Sequence, residues 1–127
     1  MEQNKLTVVI NKSLEDVFEF TINPKNTPLW IPDMREEICD VYPPKIGTVY
    51  KNRGNSDNWD VYIVADIQKN KLFTLKSSDN NYYVRYTSRK ISENITEVEY
   101  CEWVNNGKLS NPFNQAILNN LKKVMEK

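Results

Sequence analysis

Histidine is absent from this chain of 127 residues. Its absence removes Ser-His-Asp and Cys-His nucleophile systems, the 2-His-1-carboxylate iron site and the HExxH zinc site. Glycine is scarce as well, with three in the whole chain. Neither GxGxxG nor GxxxxGK[ST] occurs, so no glycine-rich phosphate cradle can be built. Any catalysis has to rest on Asp, Glu, Lys, Arg, Tyr or Cys, which move protons or stabilise charge only in tuned surroundings. No cofactor and no metal is expected.

Charge of one sign is also lacking. Lys and Arg number 17 and Asp and Glu number 17, for a net charge of zero. A balanced surface gives nucleic acid or an anionic membrane nothing to bind. No apolar run approaches the roughly 20 residues of a membrane span. The N-terminal MEQNKLTVV has no basic segment followed by an apolar one, so no secretory leader is expected and the predicted location is cytoplasmic. The two cysteines, Cys39 and Cys101, lie in separate predicted strands without CxxC spacing, and read as reduced, half-buried thiols. The length predicts one domain over 1–127, able to bury roughly two-thirds of its unfolded surface.

What is present is strand alternation framed by helices. KLTVVIN (5–11) places Leu6, Val8 and Ile10 on one face of a first strand. Ser13 is placed as an N-cap, with Glu15 and Asp16 in the first turn and Leu14, Val17 and Phe18 as the apolar stripe of a helix to about Ile22. TINPKNTPLWIPDM (21–34) follows, with Pro24, Pro28 and Pro32 spaced by four. Pro24 suits the first position of a short second helix, which Pro28 and Pro32 limit to one or two turns. Six strands are then predicted, at 34–42, 47–53, 59–67, 71–77, 82–91 and 95–104, joined by short polar turns as an antiparallel meander. WDVYIVADI (59–67) alternates most clearly, and Trp59, Val61, Ile63, Ala65 and Ile67 are taken as its inner face. The last helix is expected to start from Asn111 as N-cap and Pro112 as first residue, with Phe113, Ile117, Leu121, Val124 and Met125 on one face. Alone it would be marginal in water, so it has to pack on the sheet.

This order of elements, with W-x-P at Trp30 to Pro32, IGT-x-Y at 46–50 and the Phe-initiated final helix, resembles the START-like (SRPBCC, Bet v1-like) superfamily, and within it the bacterial polyketide cyclase/dehydrase group. The resemblance covers nearly the whole chain and rests on the order of elements. It implies an α+β helix-grip fold: a curved seven-stranded antiparallel sheet wrapped around a long C-terminal helix, two short helices after strand 1, and an inner cavity between the sheet and the C-terminal helix for a small hydrophobic ligand. The two short helices would form a V closing one end of that cavity. Trp30 is then either a plug with its face to the cavity or a cap on the core.

Period-2 faces nominate the rest of the site, with the proviso that one register slip inverts a strand. Trp59 and Val61 share a face, Tyr86 follows Val84, Tyr100 follows Val98, and Phe113, Ile117 and Leu121 face the sheet. Plain core is the competing reading for all of them. Glu102 is in phase with Tyr100, and Arg53 with Val49; either holds a ligand's polar end, or they pair with each other, or both reach solvent. Glu36 and Glu37 straddle the two faces of their strand, so one of them points inward, and a buried unpartnered carboxyl has a raised pKa. Three functional classes fit. These are a carrier of a small hydrophobic or aromatic, lipid- or polyketide-like ligand; a cyclase- or dehydratase-type enzyme using Glu, Tyr or Arg; and a chaperone-activator-like interaction module. The carrier, as monomer or homodimer, is preferred, because no histidine supports the enzyme and no exposed apolar run supports the module.

Overall fold

The computed structural model describes residues 2–127. Strand β1 (Glu2–Ile10) leads into α1 (Leu14–Ile22) and α2 (Thr27–Trp30), followed by β2 (Glu36–Cys39), β3 (Val49–Arg53), β4 (Asp60–Gln68), β5 (Leu72–Ser77), β6 (Tyr82–Ser92), β7 (Ile95–Val104) and α3 (Gln115–Met125). The seven strands form one antiparallel sheet in the order β1-β7-β6-β5-β4-β3-β2. From β2 to β7 this is a meander, and β1 closes it by pairing with β7, Leu6 opposite Tyr100 and Val8 opposite Val98. No helix among the described residues is long and apolar enough to cross a membrane.

The helices pack on the inner face. Ser13 caps α1, its Oγ accepting from the Asp16 amide at 3.2 Å, and Val17, Phe18 and Ile22 are buried beneath. The α1 C-terminus is tied to the sheet by Tyr50, whose hydroxyl donates to the Ile22 carbonyl at 2.7 Å. Helix α2 differs from expectation in its start: Pro24 lies in the preceding turn, and Pro28 takes the early helical position in which a missing amide costs nothing. The chain from α2 to β2 crosses the end of β3 so closely that a Cβ on Gly54 would sit 2.6 Å from the Asp33 carbonyl oxygen. Only glycine leaves room for that crossing, and the Arg35 amide donates to the Arg53 carbonyl beside it at 2.9 Å.

The final helix starts later than the sequence suggested. Asn114, not Asn111, is the N-cap, its Oδ1 accepting from the Ile117 amide at 2.9 Å, so Pro112 and Phe113 lie outside the helix. Helix α3 buries Leu118 and Leu121 completely. It also covers the β1 edge: Gln115 Nε2 donates to the Thr7 carbonyl and Lys122 Nζ to the Val9 carbonyl, both at 2.9 Å, while Glu126 accepts from the Asn11 amide at 2.7 Å. An edge strand with free carbonyls is a template for unwanted pairing, and here the helix occupies it. Asn120 adds a bond to the Trp30 carbonyl, fastening α3 to α2.

Candidate functional site

Between the inner face of the sheet and the α1–α2 region lies a pocket of about 140 Å³. The sheet supplies Asn52, Tyr62, Phe73, Leu75, Tyr82, Val84, Tyr86 and Tyr100; α1 and α2 supply Thr21 and Thr27; Ile31, Met34 and Glu37 close the β2 side and Phe113 the far side. Its wall is a chain of rings. Phe73 stacks on Tyr86, Tyr86 meets Tyr100 edge-on at 5.4 Å, and Tyr100 stacks on Phe113 at 4.6 Å with 5° between the planes. The gap exists because short or polar side chains (Thr21, Thr27, Asn52) stand opposite these rings where apolar bulk would be needed to fill it.

Glu37 is the charged residue of this lining. Register explains its inward position: Glu37 pairs with Asn52 and Cys39 with Tyr50, so the four residues share the inner face, while Glu36 pairs with Arg53 on the outer one. Glu37 is only 9% exposed, and Thr27 Oγ1 donates to its Oε1 at 2.6 Å. Burial pushes its pKa up to about 7, against the opposing effect of hydrogen bonds from Thr27 and Asn52. The surrounding tyrosines are held neutral. Burial raises Tyr62 to about 12, and burial followed by the neighbouring Glu102 raises Tyr82 further still. Tyr86 and Tyr100 are likewise pushed well above the usual phenol range by burial.

Of the residues nominated from sequence, Tyr86, Tyr100 and Phe113 line this pocket. Trp30 is 3% exposed and stands behind them, edge-on to Tyr86 at 6.2 Å and to Phe113 at 6.0 Å, so it buttresses the wall and does not face the pocket. Ile117 and Leu121 belong to the core between α3 and the sheet and contribute nothing to the lining, so the space expected between the sheet and the C-terminal helix is filled by side chains and the pocket lies instead beside α1 and α2. Glu102 is 1% exposed and already engaged: its Oε1 accepts from the Tyr82 hydroxyl at 2.8 Å, and its Oε2 accepts from Asn4 Nδ2 at 2.9 Å and from the Phe113 amide at 2.8 Å. It holds two pocket residues in place, and it does not pair with Arg53.

Arg53, Trp59 and Val61 are placed on the opposite, outer face, and the expectation for them is corrected. Tyr50 and Asn52 are the inward positions of β3, so Arg53 is outward, bonded to Glu36 at 2.8 Å with its guanidinium 4.6 Å from the Trp59 ring centre. In β4 the inward residues are Tyr62 and Val64, paired with Ser77 and Leu75; Val61 and Ile63 face out opposite Lys51 and Val49. A register shift between Val64 and Asp66 then switches faces, so that Ile67, opposite Phe73, packs on the core. Sequence reading missed Tyr62, Tyr82, Phe73, Thr27 and Asn52. The available signal for Asn52 was its phase with Tyr50.

No family profile and no curated protein matches the sequence. Solved structures do match over nearly its full length. A START superfamily protein from Mycobacterium smegmatis superposes with a TM-score of 0.70 at 15% identity, over 98% of this chain and 94% of that one. An Aha1 protein from Colwellia psychrerythraea, a dimer in solution, gives 0.71 at 16% identity, over 99% and 97%. A Polyketide_cyc-like protein from Corynebacterium glutamicum gives 0.58 at 16% identity, over 80% and 64%. The chain therefore has a START-like helix-grip fold. At these identities the likeness is one of fold, and the function has to be argued from the site.

Proposed function

We propose that this protein binds a small, largely apolar ligand in the pocket between the sheet and the α1–α2 region. The observation that carries the reading is a wall of stacked rings facing one buried carboxyl across unfilled space. Binding sites are typically apolar hollows with a few placed polar groups. The volume narrows the ligand. At about 140 Å³ the pocket matches a cavity of roughly 150 Å³ known to take benzene and falls below the roughly 300–1,000 Å³ of drug-sized sites. A single ring fits, whereas a lipid chain or an extended polyketide would need the rim residues to move. The pocket is built from one chain, so monomer and homodimer serve this reading equally.

Native mass spectrometry of protein purified without detergent tests it. A discrete small mass lost on denaturation supports the reading; a clean apo mass together with no uptake of single-ring probes at millimolar concentration overturns it. A second reading has one observation in its favour, the Glu37 carboxyl raised to about 7 inside the pocket. A group poised there exchanges protons at neutral pH, as a cyclase- or dehydratase-type reaction requires. Retained ligand binding with lost turnover in Glu37→Gln would establish it.

A further inference from the structure

We propose that the pocket selects a single-ring ligand bearing a protonated amine, the ring lying against Tyr86, Tyr100 and Phe113 and the ammonium on the Glu37 carboxylate. This rests on the reading that the pocket binds a small ligand, and it names the class. The argument begins from charge. No lysine or arginine lines the pocket. Arg53, next to Asn52 in sequence, is directed to the opposite face and engaged by Glu36. A buried anion would meet Glu37 with no cation to offset it, which is costly in a low-dielectric site. An ammonium supplies the missing partner.

The hydrogen bonds around Glu37 agree. Thr27 Oγ1 donates to it at 2.6 Å and the Asn52 amide stands opposite it on β3, an arrangement that favours the charged carboxylate and leaves lone pairs free for a further donor. The aromatic walls add the negative faces that attract a cation. The titratable groups near Glu37 are Cys39 on its own strand, Tyr50 on β3, Tyr62 on β4 and Tyr86 on β6, and burial raises the pKa of each, so all are neutral. None supplies a competing positive charge. Binding an ammonium takes Glu37 to its ionised form, so the preference strengthens with pH until Glu37 is ionised in the free protein as well.

Calorimetric and ligand-observed NMR titrations with benzylamine, benzyl alcohol and benzoate test the proposal, since the probes share a ring and differ in charge. At pH 8 benzylamine is expected to bind about tenfold tighter than benzyl alcohol, with benzoate weakest. At pH 5.5 that advantage should shrink several-fold. Glu37→Gln retains an acceptor for Thr27 and should remove most of the advantage of benzylamine over benzyl alcohol; an advantage that persists in this variant would overturn the assignment of the ammonium to Glu37. Benzyl alcohol binding the wild type as tightly as benzylamine, or benzoate binding best, would overturn amine selection and leave small-ligand binding standing. Failure of all three probes would overturn both.

Discussion

Replacing Glu102 with alanine removes one carboxylate and strands three donors. The Tyr82 hydroxyl, the Asn4 side-chain amide and the Phe113 backbone amide all end on it at 2.8–2.9 Å, and Glu102 itself is 1% exposed. A hydrogen bond to a charged group contributes about 1.5–3 kcal/mol, and a donor left buried without a partner costs about 1–3. Tyr82, Asn4 and Phe113 are each half-buried, so water can reach part of what is stranded, which places the total toward the lower end. We expect Glu102→Ala to lose about 3–5 kcal/mol in urea unfolding. At about 3–5 °C per kcal/mol for a chain of this length, the midpoint of thermal unfolding falls by roughly 10–20 °C. Glu102→Gln separates the causes. Its oxygen can still accept from Asn4 and Phe113, and the Tyr82 hydroxyl can rotate to accept from the new amide, so the loss should be only about 1–2 kcal/mol. Urea titrations of the three proteins, followed by circular dichroism and tryptophan fluorescence, give the comparison. A loss below about 1 kcal/mol for alanine, or equal losses for both variants, would refute the view that Glu102 is the fastener of β1, β6 and the segment before α3.

The remaining expectations concern the pocket and its surroundings. Trp30→Ala should cost about 3–5 kcal/mol in denaturant unfolding, as removal of a buried indole does; a loss under about 1.5 kcal/mol with altered ligand affinity would mean that Trp30 closes the pocket as a plug. Glu37 makes stability depend on pH. Its folded pKa of about 7 lies above the ordinary 4.5, so its contribution is fully present below 4.5 and declines as pH rises to about 7. The decline is at most about 3 kcal/mol, from a shift of that size. Glu37→Gln should flatten this part of the stability–pH profile, and an unchanged slope would contradict the assignment. Arg53→Ala should cost less than about 1 kcal/mol, since its ion pair with Glu36 is partly exposed and its stacking on Trp59 is at the surface. It should leave ligand affinity untouched; a tenfold loss of affinity would place Arg53 at the site after all.

The helix-grip fold was legible because its strands alternate cleanly where one side is buried and the other wet. β7 shows this best, with Thr96, Val98, Tyr100, Glu102 and Val104 inward, and Ser13 capped α1 as its position before Leu14 suggested. β4 misled because its outer face is apolar too. Val61 and Ile63 sit there beside β3, and the inward Tyr62 carries a hydroxyl that reads as polar. The register shift after Val64 then returns Ile67 to the core without a glycine to announce it. The sequence pointed to Asn111 as the start of α3, and tertiary structure moves it to Asn114. Glu102 takes the Phe113 amide, and Asn114 then caps Ile117. That choice puts Phe113 at the pocket and leaves Ile117 and Leu121 in the core. Glu37 was visible only as one of an adjacent pair, since phase within a four-residue strand is set by its neighbour β3 and not by its own pattern.

The central claim is that the pocket beside Glu37 is a ligand site. Its most direct test is an amide chemical-shift map of ¹⁵N-labelled protein titrated with benzylamine at pH 8. The account predicts saturable shifts concentrated at Thr27, Glu37, Asn52, Tyr86 and Phe113, the residues that enclose the pocket. Shifts clustered on the outer face around Trp59 and Trp103, or none at millimolar probe, would contradict it.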